Sequence, residues 1–242
     1  MKPRIVLFAT ILVIVSMFTG CGTTSNQGVN NPIISESQAQ EKEKSISKDN
    51  NDNKEMGYEI IRKVSEMRDS NTKIFYPQIS GYKGQLLMDY MNQSLKKIVD
   101  IYGKGEMYQN ISIDYKITKM DKDIISVLFK GTGRISNGRE INIQQSVNLN
   151  VKSSNEIVFK NFVKDDPTSV EKVMTLLNQK AKAMGSKYGV EAEGIRIFFE
   201  GENIVFYYMP ADDSAKSFVE ISVPLKELES FLNHDFEKKP AS

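Results

Sequence analysis

Few residues in this 242-residue chain are of types that carry out catalysis, and their spacing narrows the field further. There is one histidine, His234, one cysteine, Cys21, and no tryptophan. Zinc hydrolysis asks for histidine ligands at helical spacing, and Ser–His or Cys–His pairs ask for a histidine beside the nucleophile. His234 stands in a charged C-terminal stretch, where it reads as a surface residue. Gly131-Thr132-Gly133 is too short to cradle a phosphate and reads instead as strand glycines marking a bulge; no P-loop or dinucleotide fingerprint occurs. No metal and no cofactor is expected. Two adjacent acidic pairs remain, Asp165-Asp166 and Asp212-Asp213, the residue type that hydrolyses glycosides. Asp165-Asp166 falls where a helix begins, a place acids occupy for dipole and capping reasons. Asp212-Asp213 falls in a loop, and neither pair has the alternating acids and central glycine of a calcium loop. The expectation is a protein without catalysis; the alternative is a carboxylate-dependent glycan hydrolase using Asp212 and Asp213.

Cys21 has the most definite chemistry, because of what precedes it. Lys2 and Arg4 lead into an apolar run over residues 5–18, followed by Thr19 and Gly20. This is the layout of a secretory signal: a basic start, a short apolar stretch, small residues before the cut. At about 14 residues the run falls short of the ~20 needed to span a bilayer. Phe18-Thr19-Gly20-Cys21 resembles a bacterial lipobox, in which the cysteine is lipidated and becomes the first residue of the mature protein. Thr19 and Gly20 are small enough for a peptidase to approach the backbone, while Phe18 stands where the motif usually has leucine or a similar aliphatic residue. On this reading residues 1–20 are a signal peptide and a lipid on Cys21 anchors the protein to a bacterial cell membrane, facing outside the cytoplasm. One acyl group anchors weakly, and the diacylglyceryl attachment implied by the resemblance supplies the two chains that stable anchoring takes. With no second cysteine, an internal disulfide is excluded even in an oxidising location.

Roughly 220 residues remain after the signal, enough for one large or two small domains. The formal charge is +1, from 32 basic and 31 acidic side chains, so no field draws in nucleic acid. Residues 21–55 are dominated by Asn, Ser, Gln, Lys, Glu and Asp, with Ile33, Ile34 and Ile46 the only large aliphatic side chains. Such a stretch buries too little apolar area to offset its ordering entropy. It reads as a disordered tether spanning ~30 Å, from ~5–6 Å × √n.

The folded part is placed at 56–152 and 153–234, with a tail at 235–242. Residues 58–67 lean to strand, and 72–76 read as a strand stopped by Pro77, with a turn at Ser80-Gly81. Leu87, Met91, Leu95, Ile98 and Tyr102 form one face of a helix ending at Gly103 as its glycine cap. Ile111, Ile113, Tyr115 and Ile117 alternate with polar residues, and Ile125, Val127 and Phe129 follow a turn at Asp121-Lys122-Asp123. Asn137-Gly138 marks a hairpin. Then Ile141, Ile143, Val147, Leu149 and Val151 hold one face of a strand, broken only by Gln145. Asn142, Gln144, Ser146, Asn148, Asn150 and Lys152 hold the other. Such alternation describes an antiparallel sheet with one face in water; the polar face reads as solvated, or else as a docking surface. Thr168 with Glu171 forms a capping box for a second helix with Val170, Val173, Leu177, Ala181 and Met184 on its apolar face and Gly185 after it. Strands are expected around Ile195–Phe199, at 204–208 and around Val219–Val223, with a short helix from Pro224. The fold class is α+β: antiparallel sheets, two main amphipathic helices and a short C-terminal helix. Tyr207 and Tyr208 point to opposite faces of one strand, so one ring is a candidate for exposure and ligand contact. Tyr76 and Tyr82 flank the 77–81 turn and are weighed likewise, with core or core-edge the plainer reading.

Ile74-Phe75-Tyr76-Pro77-Gln78-Ile79-Ser80-Gly81 followed by a helix resembles the start of a domain of unknown function named for a peptidoglycan deacetylase. Residues 157–162, 195–199, 204–209 and Val219-Glu220-Ile221-Ser222-Val223-Pro224-Leu225 with Leu228 resemble the domain of unknown function that usually follows it. The resemblance covers about 58–232. It implies an extracytoplasmic α+β module found on bacterial lipoproteins, beside polysaccharide deacetylase domains, and as the ectodomain of an anti-sigma factor that binds lysozyme. The deacetylase's metal-binding histidines have no counterpart here. At 209–217 relatives tend to carry a tyrosine-containing, glycine-ended loop, where this chain has Met-Pro-Ala-Asp-Asp-Ser-Ala-Lys-Ser. The function expected is a non-enzymatic binding module for a cell-envelope ligand, either a hydrolase such as lysozyme or a peptidoglycan fragment. A structural or assembly lipoprotein of the envelope is a further alternative.

Overall fold

Period-two alternation over residues 108–150 folds as three long strands on which the rest of the chain is assembled. The protein, seen in a computed structural model, is described over residues 57–104, 107–187, 189–211, 215 and 217–233. The segments expected to be a signal and a tether, with Cys21, Thr19 and Gly20, lie outside these residues, as do Asp212, Asp213 and His234. In chain order come β1 (Glu59–Met67), β2 (Thr72–Ser80), α1 (Gln85–Tyr102), β3 (Tyr108–Met120), β4 (Ile124–Ile135) and β5 (Glu140–Asn150). Then follow α2 (Phe159–Phe162), α3 (Pro167–Ala183), β6 (Arg196–Glu200), β7 (Asn203–Tyr208), β8 (Val219–Pro224) and α4 (Leu225–Leu228), with a 3₁₀ turn at Glu229–Phe231. Among the described residues no helix is long and apolar enough to cross a membrane.

The fold class is α+β as expected, with one addition. The first five strands form a sheet in sequence order, and β6, β7 and β8 form a second, antiparallel sheet. In the larger sheet β2 and β3 run parallel, because α1 carries the chain back before β3 begins. Met91, Leu95, Ile98, Val99 and Tyr102 of α1 pack on Ile74, Ile113, Phe129 and Leu149. Gln145, the break in the apolar pattern of β5, donates from Nε2 to the Tyr102 hydroxyl at 3.3 Å. A second core forms where Val173, Leu177 and Ala181 of α3 meet Ile197, Phe199, Ile204, Phe206 and Val223.

Pro77 does not stop β2, which continues to Ser80. The register with β3 covers only Lys73 and Ile74, so β2 has a free edge beyond them. On that edge the Asn92 carboxamide donates to the Ile79 carbonyl at 2.9 Å and accepts from the Ile79 N–H at 2.7 Å, as a neighbouring strand would. Strand backbones repeat direction every two residues, so Pro77 turns its missing N–H toward the same free edge, where nothing is lost. Where the β2–β3 ladder ends, Arg62 spans the gap: Nη2 donates to Asp114 Oδ2 at 2.8 Å, and the guanidinium lies 4.0 Å from the Phe75 ring centroid.

Three helix-end readings change. Gly103 does end α1, but at φ −86, so no left-handed cap forms; a Cβ there would fall 2.4 Å from the Val99 carbonyl oxygen, and close approach is what requires glycine. The cap of α3 is Asp166, whose Oδ1 accepts the Ser169 N–H at 2.8 Å, with Pro167 in the first helical position instead of Thr168 as cap. Met184 is exposed, not part of the apolar face.

The largest correction concerns the polar face of β5. Its middle is not solvated: Gln144 and Asn148 are 5% and 2% exposed, while Asn142 and Lys152 at its ends are open to water. The smaller sheet lies on it. Strand β6 is hydrogen-bonded to β7 on one side only, which leaves backbone groups on its other edge. The Ile197 carbonyl accepts from Ser146 Oγ at 2.7 Å and from Asn148 Nδ2 at 2.8 Å, and the Phe199 N–H donates to Ser126 Oγ at 3.0 Å. Asn148 Nδ2 also donates to the Ile157 carbonyl at 3.1 Å, and Ser126 Oγ donates to Asn148 Oδ1 at 2.7 Å. Side chains of β4 and β5 thus stand in for a strand that β6 lacks. Beside them Leu128, Phe198, Val205 and Tyr207 form a small apolar cluster between the sheets.

Candidate functional site

The exposed rings weighed from sequence are mostly interior. Tyr76, Tyr207 and Tyr208 are 4%, 0% and 6% exposed, and Tyr82 is half-buried with its hydroxyl donating to the Val151 carbonyl at 2.8 Å. Neither Tyr207 nor Tyr208 is free, because β7 is covered on both faces, by the α3 core and by the larger sheet. The two hydroxyls differ. That of Tyr207 donates to Ser146 Oγ at 2.9 Å, whereas that of Tyr208 has no partner among the described residues. Tyr207→Phe is therefore expected to cost about 1 kcal/mol, while Tyr208→Phe, which removes an unsatisfied group, should be neutral or slightly stabilising. Thermal melts of the two variants decide it; equal losses would show that the Tyr208 hydroxyl is satisfied after all.

Burial raises the Tyr207 phenol to about 12, and burial followed by the charge of Asp121 does the same for Tyr58. An unfolded tyrosine titrates near 10. The stability tied to these neutral phenols is present below about 10 and disappears as pH rises through about 12. At the acid end, Asp123 is lowered by its hydrogen bond from Lys152 and Asp166 by hydrogen bonds from Ser169. Asp114 is lowered too: burial pushes it up, but hydrogen bonds from Arg62 and the Tyr115 N–H outweigh that. These three contribute above the unfolded carboxylate value near 3.9 and cease to as pH falls below it. Melting temperature against pH should be level across neutrality and fall at both ends; a fall between pH 5 and 9 would contradict the assignment.

One cleft brings polar groups together. It has a volume of about 880 Å³ and lies between the turn end of the β4–β5 hairpin and the segment after β7. Thr132, Arg134, Arg139 and Glu140 come from the hairpin, Asn110 from β3, and Met209, Pro210 and Ala211 from the segment that follows β7. The hairpin is fixed by the Asn137-Gly138 turn, with Gly138 at φ 86; Asn137 Oδ1 accepts the Arg139 N–H at 3.0 Å and the Arg139 carbonyl accepts from the Ile135 N–H at 2.9 Å. Beside it β3 bulges between Gln109 and Ser112, with Asn110 at φ 53. The glycines at 131 and 133 do mark a bulge, but one on the neighbouring strand. A Cβ on Gly131 would sit 2.1 Å from the Ser112 carbonyl oxygen, and one on Gly133 would sit 2.1 Å from Ile111 Cδ1. Arg134 donates from Nη2 to Glu140 Oε1 at 3.2 Å, and Met209 is 39% exposed. Among the described residues no group of three His, Cys, Asp or Glu could hold a metal ion.

Sequence reasoning found the turn that carries Arg139 but none of the cleft's residues as site residues. No pattern along the chain joins Asn110 to Ala211.

No protein-family model matches the chain. No curated protein matches it either. Two crystal structures share its architecture. A member of the DUF3298 family from Bacteroides fragilis, 12% identical, aligns over 73% of this chain and 93% of its own with a TM-score of 0.50. A DUF3298 family protein from Pseudomonas aeruginosa, 6% identical, aligns over 77% and 98% with a TM-score of 0.51. At these identities the likeness is one of fold: the chain is similar in architecture to bacterial proteins of a family of unknown function.

Proposed function

We propose that the protein is a lipid-anchored binding module of the bacterial cell envelope. Cys21 holds it at the outer side of the cell membrane, and its two-part α+β domain, of the deacetylase-associated type, binds a wall hydrolase such as lysozyme or a peptidoglycan fragment. The observation that carries binding is the cleft, where guanidinium groups, polar strand side chains and an apolar wall converge. The signal-like segment before Cys21 supports the anchor, and the fold shared with bacterial proteins is consistent with it. The test has two parts. Detergent-phase partitioning of the expressed protein should be abolished by Cys21→Ser. Detergent-purified protein should retain either lysozyme or sedimented peptidoglycan above a bare-resin control; retention of neither overturns the reading.

A further inference from the structure

The cleft's size and charge narrow the ligand. Its volume of about 880 Å³ lies within the ~300–1,000 Å³ of small-ligand sites. A folded protein partner is instead met by a broad surface of about 800 Å² on each side. A guanidinium presents a planar fork of N–H donors that matches the two oxygens of a carboxylate. The cleft has two such groups, and they are not equivalent. Arg134 already donates to Glu140. The Arg139 guanidinium has no hydrogen-bond or ionic partner among the described residues. Its backbone is nevertheless pinned on both sides, by the Asn137 side chain and by the Ile135 N–H. An exposed cation on a hairpin held by its turn can receive an anion without breaking any existing pair. Among the described residues, the Arg134–Glu140 pair beside it leaves the cleft's charged side chains with a net single positive charge. Across from them, Met209, Pro210 and Ala211 offer an apolar wall, and Thr132 and Asn110 polar contacts.

We infer that this cleft takes a small carboxylate-bearing ligand, with Arg139 receiving the carboxylate and Met209, Pro210 and Ala211 covering its apolar part. The inference rests on the binding-module reading and selects, within it, an acidic fragment over a folded hydrolase. The experiment is calorimetric titration of the detergent-purified full chain with four probes. These are muramyl dipeptide with a free carboxylate, its fully amidated form, the acidic dipeptide alone and an uncharged chitotetraose. The free acid is expected to bind about tenfold or more tighter than the amide, the worth of a charge-assisted pair, and Arg139→Gln to remove that difference. Binding of the dipeptide alone assigns the carboxylate to a peptide, and binding of the conjugate only requires the sugar as well; both support the inference. Equal affinity for acid and amide overturns it, as does unchanged acid binding by Arg139→Gln. If lysozyme is retained while no probe binds, the inference fails and the binding-module reading stands. If neither lysozyme, peptidoglycan nor any probe is bound, both fail.

Discussion

Asn148→Leu is expected to destabilise the protein by about 3–4 kcal/mol, from ~1–3 kcal/mol for each buried polar group left unpaired. Leucine has nearly the same shape, so the loss isolates hydrogen bonding from packing. Asn148 is 2% exposed and serves three partners: the Ile197 and Ile157 carbonyls and the Ser126 hydroxyl. The Ile197 carbonyl keeps Ser146 Oγ, but the Ile157 carbonyl loses its side-chain donor, and Ser126 keeps only Thr118 Oγ1, 2.9 Å away, as a side-chain acceptor. Guanidinium denaturation monitored by far-UV circular dichroism measures the difference. A loss below about 1 kcal/mol would mean that relaxation or water replaces these bonds, and that the Asn148 carboxamide is worth no more than a surface pair.

Phe199→Ala should cost a comparable 3–5 kcal/mol for a different reason. Phe199 is 1% exposed, its ring edge-on to Phe162 at 5.5 Å between centroids, in the core shared by α3 and the smaller sheet. Truncation leaves a cavity whose walls belong to β6, β7 and α2, elements tied down by strand pairing and by the Asn161 side chain, so little collapse is open to them. Its backbone N–H to Ser126 Oγ survives the substitution. The same denaturation series therefore separates the apolar from the polar contribution of one short strand. A cost under about 1.5 kcal/mol would show that this core is loosely packed.

What the sequence made legible were features with a local cause. The hairpins follow from Asn137-Gly138 and from the turn at Asp121, whose Oδ1 accepts the Asp123 and Ile124 N–H groups at 2.8 Å each. Helix α1 follows from five apolar residues at helical spacing. Alternation in β5 separated two faces correctly but could not say what covers the second. The answer depends on Ile197 and Phe199, whose bonds to β4 and β5 span 49 to 73 residues. A hint existed: Ile204–Tyr208 is apolar without a break, the pattern of a strand buried on both faces, and it conflicted with exposure of either tyrosine. Pro77 misled because the rule that proline ends a strand holds only where the ladder needs its N–H. The cleft was illegible for a similar reason, since its walls come from β3, the β4–β5 hairpin and the segment after β7.

The side-chain surrogate strand also bears on time, not only on free energy. Each of its hydrogen bonds to Ile197 and Phe199 waits until the β4–β5 and β6–β7 hairpins both exist, since its two ends lie on different hairpins. Closing segments of 49 to 73 residues costs entropy before any of those bonds is gained. Contacts of that kind form after the rate-limiting barrier more readily than hairpin contacts do. The destabilisation by Ser146→Ala, whose bonds to the Ile197 carbonyl and the Tyr207 hydroxyl span 51 and 61 residues, should then emerge almost wholly as faster unfolding, with the refolding rate little changed in stopped-flow traces; slowed refolding would place the contact in the nucleus. The polar face of β5 thereby acts as a lock on the folded state, governing how long the assembled pair of sheets persists.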